Sequence, residues 1–214
     1  MDKEASRDPY QTYYDGNFLG QQSPSKSMKR LSRFFKSNNV KRILDFYCGA
    51  GRNSIFLSDQ GFELTGFDGS KIAIEKAMEC QRNAKSNASF ELFNYEHTLP
   101  YEDGYYDAVI AVRAIYQANI QRIRKDIEEI RRVTKPRGFL YLESDQRTIW
   151  SQRKQWGQTR TPERGTYIHK DGSYYHYFTE RELRTFFKGY RIVRFYFNDR
   201  IFHILYQKIE HQDC

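Results

Sequence analysis

From Arg42 to Glu143 the sequence alternates between two hydrophobic periods, and this alternation limits the fold more than any other feature. RILDFY, FELTGF (62–67), SFELF (89–93), DAVIAV (107–112) and GFLYLE (138–143) are short, nearly continuous apolar runs. Such runs suit strands buried on both faces. Between them GRNSIFLSDQ reads as a helix stopped by Gly61, and SKIAIEKAMECQRNA (70–84) brings Ile72, Ile74, Ala77, Met78 and Cys80 near one face. IQRIRKDIEEIRRV aligns Ile120, Ile123, Ile127, Ile130 and Val133 on one apolar stripe. Strands alternating with helices predict a parallel sheet with helices on both sides.

The flanks add to this core. Ser23 and Pro24 read as the N-cap and first residue of a helix whose apolar face is Met28, Leu31, Phe34 and Phe35. Residues 146–178 are polar, rich in Arg and Tyr, and lack a clear period. TERELRTFF then opens with a capping box, Thr179 and Glu182. YRIVRFYF and RIFHILYQ, separated by Asn198 and Asp199, suit an antiparallel hairpin, so the parallel sheet should end in an antiparallel pair.

With 214 residues the chain is long enough to bury a core without staples, and 16% aromatic residues argue against disorder. No stretch approaches the roughly 18 apolar residues of a membrane span. The start, MDKEASRDPYQ, lacks the apolar core of a signal peptide. Cys48, Cys80 and Cys214 stand at no metal-binding spacing. A reducing, cytoplasmic setting without a metal or a membrane partner is expected. The net charge of +8 favours anionic partners. The charge is spread along the chain, with one more biased stretch of Arg147, Arg153, Lys154, Arg160, Arg164 and Lys170, opposed only by Glu163.

The first strand runs into ILDFYCGAGRNS, a strand followed by a glycine-rich turn and a helix start. Gly49 and Gly51 allow close backbone approach to a ligand, and the helix N-terminus after them offers unsatisfied N–H groups. Asp68 ends the second strand, where a carboxylate can accept hydrogen bonds from ribose hydroxyls. A dinucleotide loop prefers a third glycine where this chain has Ser54, which weakens a nicotinamide cofactor.

Four segments in this order, ILDFYCGAGRNSIFL, GFDGS, LPYEDGYYDAVIAV and IEEIRRVTKPRGFLYLE, resemble the class I S-adenosylmethionine-dependent methyltransferases. GAGRNSIFL also looks like the thiol- and tellurite-type small-molecule branch. The resemblance implies a Rossmann-like three-layer α/β sandwich with a seven-stranded, mostly parallel sheet whose last strand is antiparallel. It implies one methyltransferase domain over 1–214: an N-terminal helical lid (1–40), a cofactor-binding core (41–145), a substrate-side insert (146–178), and a C-terminal helix and hairpin (179–214). It implies S-adenosyl-L-methionine as cofactor, leaving S-adenosyl-L-homocysteine. Cofactor contacts would come from Asp45, Tyr47, Gly49, Gly51 and Asn53 in and after the first strand, and from Phe67, Asp68, Gly69 and Ser70 after the second. Asn94, Tyr95 and Glu96 would border the adenine, and Arg113 to Tyr116 would lie between cofactor and acceptor. Three positions depart from the pattern. Tyr47 replaces a glycine and must point away from the cofactor or narrow its pocket. Tyr95 stands where an acid is usual. Tyr116 and Gln117 stand where related chains often carry histidine.

A sulfonium is an activated methyl donor, so in-line transfer relies on positioning and desolvation, and a base is needed only for some acceptors. The candidate catalytic residues are His176, Tyr116 and Tyr14, with His169 a second candidate base. Tyr10, Tyr13, Tyr14, Tyr116, His169, Tyr174 and His176 are candidates for the acceptor site, because aromatic faces stabilise cationic centres. Cys48 reads as packing, and His203 and His211 present no functional case. The leading expectation is methylation of N, O or S on a small molecule, by a monomer or homodimer. Alternatives are an RNA methyltransferase tracking phosphates with the 147–177 stretch, and a non-catalytic binding module.

Overall fold

The computed structural model describes residues 23–93, 98–146, 159–170, 172–198 and 201–210. Tyr10, Tyr13, Tyr14, Asn94, Tyr95, Glu96 and the first half of the basic 147–170 stretch, residues 147–158, lie outside the described residues. The apolar runs form strands β1 (Arg42–Phe46), β2 (Glu63–Asp68), β3 (Ser89–Leu92), β4 (Tyr106–Val112) and β5 (Thr134–Asp145). Three short strands follow, β6 (Thr159–Arg160), β7 (Thr166–Ile168) and β8 (Tyr174–His176), and then β9 (Tyr190–Asn198) and β10 (Ile201–Lys208). The described helices are α1 (Met28–Ser37), α2 (Arg52–Asp59), α3 (Lys71–Ala84), α4 (Ile120–Val133) and α5 (Glu180–Phe186).

Seven strands form one sheet in the order β3-β2-β1-β4-β5-β10-β9. Neighbours from β3 to β5 are parallel, and β10 runs antiparallel to both β5 and β9, as the hairpin reading requires. The order reverses between β1 and β4, where Asp45 lies opposite Ile110, so the carboxyl ends of these two strands mark the switch point. Because β1 and β4 are covered on both faces, successive residues feed opposite cores. Ile43 and Ile110 join Met28, Leu31 and Phe35 of α1, Leu57 of α2 and Ile74 of α3. Leu44 and Val109 join Ile123, Ile127 and Ile130 of α4 and Leu183 of α5.

Three expectations change. The first helix begins at Met28, not at Ser23 and Pro24, and Ser27 at its N-cap makes no capping bond with its side chain. That hydroxyl is spent on Glu143 instead. Met78, placed by periodicity on the buried face of α3, is 38% exposed. The segment read as irregular contains a three-stranded antiparallel ribbon, β6-β7-β8. Its strands are too short to carry a period, and the β7–β8 turn closes through His169 and Gly172.

The charges of α4 are less solvated than the sequence suggests. Arg132 donates to the Tyr101 carbonyl at 2.6 Å and the Leu99 carbonyl at 3.0 Å, and pairs with Glu129 and Asp103. It therefore holds the segment entering β4 against α4. Capping by Thr179 and Glu182 at α5 is formed in both directions.

Gly51 is required on two counts. Its φ is +77°, and a Cβ there would stand 2.5 Å from Cζ of Phe90. Gly61 has a φ of +93° but nothing within 4 Å of an added Cβ. Gly51→Ala should therefore cost roughly 2–4 kcal/mol, strain plus overlap, and Gly61→Ala about 1 kcal/mol from strain alone. Urea midpoints check this, and equal losses would contradict it.

Candidate cofactor-binding site

The loop after β1 turns sharply because Tyr47, Gly49 and Gly51 all adopt positive φ, at 56°, 55° and 77°. Backbone bonds then tie it to β2. Cys48 N–H donates to the Phe67 carbonyl at 2.9 Å. Gly49 N–H donates to Asp68 Oδ2 at 2.9 Å, and Ser70 N–H donates to Asp68 Oδ1 at 2.9 Å. One carboxylate thus joins the glycine loop to the turn that starts α3, where Ser70 is the N-cap and accepts from Ala73 N–H. The residue is half-buried at the carboxyl end of β2, with both carboxylate oxygens held by backbone donors.

Tyr47 carries a bulky side chain at a position of positive φ, and α4 explains how it is held. Arg122 Nη2 donates to its hydroxyl at 2.7 Å, and the hydroxyl donates to buried Asp126 at 3.3 Å. Its ring lies 4.8 Å from that of Phe46 and 5.4 Å from that of Phe67. Tyr47 is therefore a fixed wall tied to α4.

Asp45 is buried and accepts from Ser54 Oγ at 2.6 Å, which pins the first turn of α2 to β1. Burial pushes its carboxyl up to about 7, against the Ser54 hydrogen bond and the Arg52 charge. Gly51 faces Phe90 and Ala77 with its pro-Cβ side, and Cys48 is buried beneath Gly66 with its thiol driven up by desolvation, as expected of a packing residue. Phe67 is fully buried, while Gly69 is exposed beside Asp68. Asn53 accepts from Ser25 N–H at 2.9 Å, so its carbonyl oxygen holds the segment entering α1.

On the β4 side of the switch point, exposed Arg113 has a φ of 56° and donates its N–H to the Glu143 carbonyl at 2.9 Å. Tyr116 is buried, with its hydroxyl pushed up by desolvation, so it is a poor base. Its ring lies 5.9 Å from that of Tyr175, which stacks on His169 at 4.0 Å. The structure thus brings Tyr116 and His169 together through Tyr175. Tyr174, one residue away, is 39% exposed. His176 is fully buried, shares a 2.9 Å hydrogen bond between Nδ1 and Thr166 Oγ1, and packs edge-on against Phe178.

Sequence reading missed Glu143, His203 and Asp145. The Glu143 carboxylate accepts from Ser25 at 2.7 Å, Tyr141 at 2.8 Å and Ser27, with His203 Nδ1 at 3.3 Å. Burial alone would raise this carboxyl, but bonds from His203, Ser27, Ser25 and Tyr141 outweigh it and hold it down at about 2. The available signal was an acid inside the apolar run GFLYLE. Asp145 is buried at the carboxyl end of the same strand.

Residues 43–138 match the methyltransferase domain family. The crystal structure of PH0226 from Pyrococcus horikoshii superposes with a TM-score of 0.75 at 22% identity, covering 92% of this chain and 98% of that one. Over residues 43–138 the chain carries a methyltransferase domain. The domain is 26% identical over 98 residues to a probable S-adenosyl-L-methionine-dependent methyltransferase, TehB, of Haemophilus influenzae, spanning 46% of this chain and 34% of that protein. It is 37% identical over 70 residues to a tRNA (uracil(54)-C(5))-methyltransferase of Pyrococcus horikoshii, spanning 33% of this chain and 16% of that protein. The chain thus spans less than half the length of the curated relatives it matches. Among the described residues of the domain, no helix is long and apolar enough to cross a membrane.

The raised Asp45 carboxyl has a signed consequence. The folded state favours its protonated form, so the contribution is complete below the unfolded value of 3.8 and is lost as pH rises through about 7. Between those limits this group should lower the domain's stability by up to about 1.4 kcal/mol per pH unit. Asp45→Asn should flatten that slope in urea midpoints measured across the range. The same slope in both proteins would contradict the assignment.

Proposed function

We propose that this protein is an S-adenosylmethionine-dependent methyltransferase that transfers a methyl group to N, O or S of a small molecule. The observation that carries the cofactor reading is the Asp68 bridge: a carboxylate at the carboxyl end of β2, next to β1 of the switch point, fixed by two backbone N–H groups where a ribose diol would be bound. The other donors fit the same group. The unpaired N–H groups at the start of α2 suit a carboxylate, and the Tyr47 wall with Gly69 and Ser70 borders the nucleoside side. Bound there, the cofactor supplies an activated methyl group on sulfonium.

The chain's own part is placement. Asp68 orients the ribose end, Asp45 and Ser54 hold α2 at the loop, and Arg113 to Tyr116 form the opposite side. Half-buried Tyr175 and His169 make a stacked aromatic surface on the β7–β8 ribbon, backed by buried Tyr116 of the β4–α4 loop and suited to a flat or cationic acceptor. His176, with its ring buried against Thr166 and Phe178, serves to hold that ribbon, and its N–H is bound to the Tyr116 carbonyl at 2.7 Å. His169, half-buried on the ribbon, is the better placed proton acceptor.

Two observations favour a small acceptor over RNA. Arg122 and Arg132 are spent on internal partners, which removes cations that could track phosphates along α4. The likeness to the tRNA methyltransferase covers only 16% of that protein.

Calorimetric titration with S-adenosylmethionine and S-adenosylhomocysteine tests the cofactor reading. Binding should be micromolar or tighter, and Asp68→Ala should weaken it at least tenfold while Ser89→Ala leaves it unchanged. No binding to either compound would overturn the proposal. RNA affinity that falls steeply with salt would move the RNA reading ahead for the acceptor.

A further inference from the structure

Residues 23–27 cross the start of α2 before entering α1, and they are held from both sides. Arg52 Nη1 donates to the Ser23 carbonyl at 3.3 Å. Ser25 uses both of its donors, its N–H on Asn53 Oδ1 at 2.9 Å and its hydroxyl on Glu143 Oε1 at 2.7 Å. Ser27 adds a second hydroxyl to the same carboxylate oxygen. Arg52 and Asn53 belong to the first turn of the helix that follows the glycine loop, while Glu143 belongs to β5 on the other side of β4.

Glu143 also reaches the loop after β4. Its carbonyl accepts the N–H of Arg113, at the start of the β4–α4 loop. The side chain of one buried residue therefore grips the segment bound to α2, and its backbone grips the loop that follows β4. Tyr141 and His203 complete the carboxylate's partners from beneath, and Tyr196 stacks on His203 at 4.4 Å with planes 4° apart. A carboxylate so surrounded has little freedom to move, which makes it a fixed anchor.

We propose that residues 23–27 act as a strap, anchored by Glu143, that fixes the spacing between the two walls of the cofactor cleft, with Ser25 and Glu143 as positioning residues for cofactor binding. This rests on the cofactor reading above. Loss of the strap's bonds lets α2 shift relative to the β4–α4 loop, and the cleft then loses part of its preorganisation for the nucleoside.

The test compares variants that differ in what they touch. Ser25→Ala removes the hydroxyl from the strap, Ser25→Thr restores one, and Tyr141→Phe removes a donor from the same Glu143 oxygen without touching the strap. Titration with S-adenosylhomocysteine should show about five- to tenfold weaker binding for Ser25→Ala and for Glu143→Gln. Ser25→Thr and Tyr141→Phe should stay within about twofold of the unmodified protein, although Tyr141→Phe lowers the thermal midpoint. In the cofactor-free protein, Glu143→Gln should speed amide exchange at Ser25 at least tenfold. Unchanged binding by Ser25→Ala, or equal weakening by Tyr141→Phe, would overturn the strap. Failure of the unmodified protein to bind would instead count against the cofactor reading, and the Ser25 exchange rate would still decide whether Glu143 anchors the segment.

Discussion

Two backbone N–H groups from different turns converge on the Asp68 carboxylate, and the geometry of the candidate site follows from that convergence. Gly49 and Ser70 lie in separate loops, so the bridge sets the distance between the glycine loop and the N-terminus of α3. The positive φ of Tyr47, Gly49 and Gly51 is what turns Gly49 N–H toward β2. The cost of that strained turn is offset by packing: Phe90 against Gly51, Cys48 beneath Gly66, and the Tyr47 hydroxyl held by α4.

Two buried carboxylates show how environment assigns different tasks to one chemistry. Asp45 has a single hydroxyl partner and is pushed up to about 7 by burial. Glu143 has several donors and is held at about 2. The first is a weakly charged brace beneath the loop. The second is a firmly ionised anchor whose contribution to stability is complete above the unfolded value of 4.5 and lost as pH falls through about 2. Both lie within the core of the sheet, and neither is placed to take a proton from an acceptor.

The strand–helix alternation, the glycine loop and Asp68 were legible because each is local: a period, a turn that needs glycine, and an acid at a strand end. The Thr179–Glu182 capping box was legible for the same reason. What escaped depends on contacts distant in sequence. The start of α1 shifted because Ser25 and Ser27 bond to Glu143, far along the chain, and not to the helix end beside them. Asn53, expected as a cofactor contact from its place after the loop, also has its carbonyl oxygen on Ser25 N–H, a bond its position did not suggest. His203 seemed idle because its partner, Glu143, lies on a neighbouring strand. The β6-β7-β8 ribbon was hidden because strands of two or three residues have no readable period.

The central claim is that the Asp68 bridge is the floor of a cofactor cleft. A crystal structure of the complex with S-adenosylhomocysteine tests it most directly. The account predicts both ribose hydroxyls within hydrogen-bond distance of the Asp68 carboxylate, with Gly49 and Ser70 still donating to it and the strap at Ser25 in place. A nucleoside seated elsewhere, or an Asp68 that must leave Gly49 to accept it, would contradict the account.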